Sequence, residues 1–372
     1  MRLWACGVVM LALACVCSAS AATSSGWVQL KTPSAAASWR LRDVATLSAR
    51  KALLVGIDAT TGGALVARYD GQRFRAVYRA ATPSVLQGVA KTRTGQAWAV
   101  GYTNPDSSDG QDPLIAHFAG SWHASTSPHL DVQGNLYDVA AVNDHNVWAV
   151  GSTSHDGWYN TRSLVEHYNG RRWRVVPSPN PSRCPPTSGC VGFTNDLVAV
   201  AATHNGSVFV VGIRNQDATF LLRCRRHRWH RLALPRLPGF DDVINGVVAR
   251  TAHDAWFVGE YQGSRDGTAR PLALHWNGTV VRRVRAVAPP GWDGTWMQDV
   301  ARTSTGAIYA VGTAIPPWPD SQAVIWRLTR HGFIPMRTPK IIGSSLGGVS
   351  AGGGTVLAVG GDGPIVLRLR VS

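Results

Sequence analysis

Three histidines, His117, His167 and His275, each precede an aromatic residue inside a β-prone apolar run: Ala116-His117-Phe118, Glu166-His167-Tyr168 and Leu274-His275-Trp276. Imidazole is the commonest side chain to ligate metals, so three in matching contexts would hold an ion if the fold brought them together. Carboxylates recur as well, in Arg42-Asp43-Val44, Tyr137-Asp138-Val139 and Gln298-Asp299-Val300. A cation ring could be drawn from these, and an acid–base pair from Asp138, Asp299, Asp293 and Glu260. A third set is aromatic: Trp158 and Tyr159, Trp318 between Pro317 and Pro319, and Trp292 with Trp296. Such rings stack on sugar faces, and Asp156 and Asp266 could take hydrogen bonds from hydroxyls beside them. No Gly-x-Ser-x-Gly, His-Glu-x-x-His or phosphate loop occurs, so no catalytic signature accompanies these groups.

What these residues can do depends on the elements that carry them, and those elements repeat. A short apolar run closes on Gly56, Gly101, Gly151, Gly212, Gly259, Gly312 and Gly360, at spacings from 45 residues (Gly56 to Gly101) to 61 (Gly151 to Gly212). That period suits a four-stranded propeller blade. Upstream of most closing runs lies a shorter one with Asp or Gly before valine, as in Gln87-Gly88-Val89, Asn245-Gly246-Val247 and Gly347-Gly348-Val349. These read as innermost strands, where crowding at a water-filled axis leaves room only for small or acidic residues. Third strands such as Leu164-Val165-Glu166-His167-Tyr168 follow, then turns such as Asp70-Gly71, Asn169-Gly170 and Asn277-Gly278, then a fourth strand; this is hairpin chemistry. The last copy lacks a fourth strand, and Gly26-Trp27-Val28-Gln29-Leu30 reads as one without a third. The expected fold is therefore all-β: one seven-bladed propeller over 22–372, with four-stranded antiparallel blades and a ring closed by the N-terminal strand completing the last blade.

On that fold the three histidines occupy the same third-strand position of different blades, away from the axis, so they are not expected to share a metal; no metal or cofactor is expected. The loops between second and third strands, and those between blades, form one rim. Turns with Asp-Gly in three of these loops (Asp109-Gly110, Asp156-Gly157, Asp266-Gly267) read first as turn chemistry. The rim aromatics Trp158, Tyr159, Trp292, Trp296 and Trp318, with Asp156 and Asp266, are the expected ligand-binding residues.

The order of a strand closing on glycine, a third strand ending in an aromatic and a tryptophan shortly after resembles the kelch repeat over about residues 26 to 372. Kelch repeats build galactose-oxidase-like and sugar-binding propellers, so the resemblance implies the same fold. The pattern departs from it: only Gly360-Gly361 gives the paired glycine, and the Tyr-Cys pair with two convergent histidines of a copper oxidase cannot be placed. Fold follows from the resemblance and function does not.

Arg2, the apolar stretch from Leu3 to Cys17 and Ala19-Ser20-Ala21 read as a signal peptide over 1–21, implying a secreted or cell-envelope protein; a lipoprotein anchored through Cys15 or Cys17 is the alternative. In an oxidising compartment Cys184 and Cys190 are expected to pair, a metal site being the alternative, with Cys224 packed inside a strand. The net charge of +15 favours an anionic wall polymer or membrane surface as a partner over nucleic acid, because the basic residues form no stripe or known motif. The expected function is non-catalytic binding of a carbohydrate or protein on the loop rim, by a monomer. A glycan hydrolase, lyase or epimerase at the channel mouth and a structural envelope protein are the alternatives.

Overall fold

The computed structural model describes residues 26–371 apart from 107–109, 155–159, 183–191, 216–217, 227, 238, 240, 264–266, 316–320, 340, 342 and 362. The described chain is all-β, with a single 3-10 turn at Ser34–Ala36. First strands are Trp39–Ser48, the second half (84–91) of the long strand Phe74–Lys91, Gln133–Asn143, Asn195–Ala202, Asp241–Thr251, Gly294–Arg302 and Leu346–Gly352. Each pairs antiparallel with the strand after it, and the third and fourth strands follow in order. Blade three is representative: Gln133–Asn143, Asn146–Ser154, Thr161–Tyr168 and Trp173–Val175, joined in that sequence. Trp27–Gln29 supplies the fourth strand of blade seven, with Trp27 opposite Leu369 and Gln29 opposite Leu367. Two pairs of blades are joined into larger sheets. Phe74–Lys91 runs unbroken from blade one into blade two, and Ala218 bridges to Asp242 between blades four and five.

The second strands are hydrophobic on both faces because both faces are buried. In Ala97-Trp98-Ala99-Val100, the two alanines face the first blade's Leu53 and Val55, while Trp98 and Val100 face the third blade's Leu136 and Ala149. The whole core is of this kind: each buried cluster lies between two neighbouring blades. One of them sets Leu54, Tyr69 and Phe74 of the first blade against Leu357, Val359 and Val366 of the last, so the last sheet packs on the first. With no apolar centre, stability rests on these interfaces and on whatever ties the first strands together at the axis.

Every first strand carries a register shift beside the closing glycine: at Leu41/Asp43, Leu86/Gly88, Leu136/Asp138, Leu197/Ala199, Ile244/Gly246, Met297/Asp299 and Leu346/Gly348. The bulge presses the first strand's backbone onto the second, which is why glycine closes the run. A methyl at Gly101 would meet the carbonyl oxygen of Val85, and one at Gly151 that of Asn135.

Candidate functional site at the channel mouth

The bulges build the site. A bulge places one extra residue on the bent strand and re-aims its side chain. The extra residues are Arg42, Gln87, Tyr137, Val198, Asn245, Gln298 and Gly347, one per blade, and all seven line a central cavity of about 460 Å³. Trp296, Thr313 and Ser345 complete its wall, with Asp43, Asp138 and Asp299 beneath. This volume is that of a small-ligand pocket. The first strands begin at this end of the channel, so the mouth opens on the face that carries the blade-to-blade connections and the loops between second and third strands.

Polar neighbours fix several of the mouth side chains. The Gln87 amide donates to the Tyr102 hydroxyl at 3.4 Å, and Tyr102 meets Tyr137 edge-on with centroids 6.1 Å apart. The Asn135 amide donates to the Tyr137 hydroxyl at 3.3 Å, and Asn245 reaches the Met297 carbonyl of the next blade at 3.0 Å. Ser152 lies close enough to both the Tyr137 phenol and the Asp196 carboxyl to lower the pKa of each. Burial raises the Tyr137 pKa, the charge of Asp196 adds to it, and Ser152 and Asn135 oppose it. Burial likewise raises Asp196 against the pull of Ser152 and Thr161. On the second strand of blade five, burial alone pushes Glu260 up to about 7.

The recurrent aspartates do a different job from the one their spacing suggests. Asp43 accepts the N–H of Val44 at 2.7 Å and that of Val89, in the next blade, at 2.8 Å. Asp138 does the same with Val139 and Val200, and Asp299 with Val300 and Val349. Each carboxylate therefore clamps its blade to the following one with both oxygens. Glycine at the equivalent position of other blades is not interchangeable with these aspartates. A Cβ on Gly88 would lie 2.9 Å from the Asp138 Cα, one on Gly246 2.8 Å from that of Asp299, and one on Gly348 2.7 Å from that of Asp43. Glycine makes the room and aspartate spans the gap. Burial, followed by the charges of Asp299 and Asp138, holds Asp43 well above the usual carboxylate range. Burial carries Asp138 to about 7 and Asp299 to about 6, against the two N–H donors on each.

The histidines belong to the blades. His117 stacks on Trp98, His167 on Trp148 and His275 on Trp256, with ring centroids 4.5, 4.2 and 4.1 Å apart. Each ring's Nε2 pairs with a side-chain oxygen 21 residues upstream: Gln96 at 2.9 Å, Asn146 at 2.9 Å and Asp254 at 3.0 Å. Among the described residues no group of three or more His, Cys, Asp or Glu is arranged to hold a metal.

Of the sequence-expected site residues, Trp296 lines the cavity, whereas Trp292 is half-buried against the sixth blade's core. Trp158, Tyr159, Trp318, Asp156 and Asp266 lie outside the described residues, as do Cys184, Cys190 and the 1–21 segment. Of the acid–base candidates, Asp138 and Asp299 line the cavity floor as clamps, and Asp293 is exposed. Cys224 is buried in the core between blades three and four. Sequence reasoning missed Arg42, Gln87, Tyr137, Asn245 and Gln298. Their signal was a position that varies freely just before a constant Asp/Gly-Val pair, which is where an inward-aimed bulge residue shows.

No family model and no curated protein matches the sequence. Solved structures do. A catalytically inactive virginiamycin B lyase from Staphylococcus aureus with quinupristin superposes with a TM-score of 0.62 at 10% identity, over 93% of this chain and 99% of that one. An ulvan lyase of polysaccharide lyase family PL25, bound to a sulfated GlcA-rhamnose unit, gives 0.59 at 11% identity, over 92% and 96%. YCF48 bound to a D1 peptide gives 0.56 at 11% identity, over 93% and 96%. At such identities the likeness concerns architecture alone, and the architecture it identifies is the β-propeller.

Proposed function

We propose that this is an exported propeller that binds a carbohydrate at the channel mouth without transforming it. The observation that carries this reading is the composition of the cavity wall. Trp296 and Tyr137 offer ring faces, and Gln87, Asn245, Gln298 and Arg42 offer amide and guanidinium groups, all from rigid first strands. Such a set matches a sugar's apolar ring face and its hydroxyls. The three axial carboxylates at the cavity floor accept two N–H bonds each and hold neighbouring blades together. Glycan-array screening followed by calorimetry tests the proposal. Trp296→Ala and Gln87→Ala should each weaken the best ligand about tenfold or more while leaving the melting temperature in place. Affinity unchanged in both variants would move the site elsewhere on the rim.

One observation favours a glycan-active enzyme as a second reading: the Tyr137 hydroxyl at the mouth accepts from Asn135 and lies within the electrostatic reach of Asp196. A tyrosine so held resembles an acid–base group. Its raised pKa argues for a neutral hydroxyl that donates and accepts hydrogen bonds, as in a binder. Release of fragments from the bound glycan, abolished by Tyr137→Phe, would establish the enzyme instead.

A further inference from the structure

Topology sorts the charge of this chain onto one side. First-to-second and third-to-fourth turns all emerge on the face opposite the mouth, and contacts between turns confirm their neighbourhood. A Cβ on Gly71 would meet Arg50, one on Gly170 His145, and one on Gly353 Ser48 of the adjoining blade. The turns on this face carry Arg50 and Arg73 in blade one and Arg93 in blade two. Blade three adds Arg171 and Arg172, blade four Arg225 and Arg226, and blade six Arg330; all of these are exposed. The acids on the same face are engaged. Asp70 accepts the N–H groups of Gln72 and Arg73 in its own turn, and Asp144 accepts from Thr94. Asp254 is shared by Arg250, His275 and Arg302. Among the described residues, Arg171, Arg172, Arg225 and Arg226 have no carboxylate partner. The mouth rim differs in being mixed: it carries Asp106, Asp112, Asp131 and Asp293 as well as Arg162, Arg214, Arg236 and Arg270.

From this we infer that the face opposite the mouth docks on an anionic phospholipid surface and so holds the ligand-binding mouth outward. Planarity decides between a bilayer and a linear polyanion. The cations sit on turns of blades one, two, three, four and six, all at the same end of the strands. A flat array of phosphates meets all of them together, whereas a single strand meets a few. The Val280 side chain, 41% exposed at another tip of this face, adds an apolar contact at headgroup depth. Between blades three and four the face opens into a cavity of about 560 Å³ lined by His145, Trp148, His167, Arg225 and Arg226. That is room for a phosphodiester headgroup between two guanidinium groups.

Sedimentation with vesicles tests the inference. The full mature chain should bind vesicles of phosphatidylglycerol in phosphatidylcholine, should ignore pure phosphatidylcholine, and should be released at about 0.5 M salt. Replacing Arg171, Arg172, Arg225 and Arg226 together by Glu should lower partitioning at least about tenfold. The same change of charge at Lys31, Arg162, Arg236 and Arg270 on the mouth side should leave most of it, which separates a docking face from net charge. Melting curves establish that both variants are folded. Equal loss in both variants, binding to neutral vesicles, or retention on heparin with no vesicle binding would each overturn the proposal.

Discussion

Asp138 in the third blade accepts the backbone N–H of Val200 in the fourth at 2.7 Å, and with its other oxygen the N–H of Val139 at 2.7 Å. The carboxylate thus closes its own strand's bulge and fastens the next blade at the point nearest the axis, where side chains are too small to pack. Removing it leaves two N–H groups on buried valines without an acceptor. Asp138→Ala is expected to destabilise the fold by about 2–4 kcal/mol, the cost of two lost hydrogen bonds and their orphaned donors. Asp138→Asn should cost less, because its amide oxygen replaces one acceptor and its NH2 group opposes the other N–H. Urea unfolding measures both, and an alanine variant within about 0.5 kcal/mol of wild type would contradict the clamp.

The clamps also set an unusual pH dependence. Asp138 at about 7 and Asp299 at about 6 lie above the ordinary 3.8, and Asp43 is raised in the same direction. The folded state therefore holds these protons more tightly than the unfolded chain does. The stability they contribute is present below about pH 4 and is lost as pH rises through 6 to 7. Asp138 and Asp299 should each account for about 1–2 kcal/mol, discounted from the full shift because both line an open cavity. Chemical denaturation should show stability from this source falling between pH 4 and 7, and Asp138→Asn should flatten part of that slope. A rise in stability with pH over this window, unaltered in the variant, would show that the carboxylates are ionised throughout.

How much of this was legible follows from which signals are local. The glycines from Gly56 to Gly360 mark blades because each relieves a contact within one hairpin, and strand order comes from turns such as Asn169-Gly170. The clamp from Asp43 to Val89 was not legible, since it requires register between strands of different blades; crowding alone made Asp43 and Gly88 look equivalent. The mouth residues were hidden by the bulge. In an unbroken strand the residue before Asp138 would alternate away, and only the extra residue turns Tyr137 into the channel. The histidine pairs could have been found: Gln96 to His117, Asn146 to His167 and Asp254 to His275 share one spacing.

Glu166 presents a buried charge with half its bonding capacity used. The residue is fully buried, Ser127 donates to one carboxylate oxygen at 2.7 Å, and the other oxygen has no partner among the described residues. Burial pushes its pKa up to about 7 against the bond from Ser127. Above that pH the folded protein must carry an ionised carboxylate between blades two and three. Glu166→Gln removes the charge and keeps the acceptor for Ser127, so it should stabilise by about 2–3 kcal/mol at pH 8 and by little at pH 5. Equal effects at both pH values would mean that the carboxyl is neutral throughout or is solvated on unfolding of a local segment.

The stacked pair His167–Trp148 yields a last prediction, because other blades fill the same cross-strand place differently. His167 lies directly opposite Trp148 in the ladder, as His117 does Trp98 and His275 does Trp256. In blade four the corresponding partners are Arg223 and Phe209, with the guanidinium 5.7 Å from the ring centroid; in blade six they are Arg327 and Tyr309, at 6.0 Å. What the position requires is a flat or cationic group over an aromatic face, and imidazole is one way to meet it. His167→Arg should therefore stay within about 1 kcal/mol of wild type, while His167→Asp, which sets a negative charge on the ring's negative face, should cost about 2 kcal/mol or more. Asn146→Ala should lose about 1–2 kcal/mol, since Asn146 accepts from both the Trp148 indole at 2.7 Å and His167. Thermal unfolding of the three variants, each with and without a chelator, tests the blade role against a metal role. A chelator-sensitive midpoint, or His167→Arg faring as badly as His167→Asp, would return these histidines to ligand chemistry.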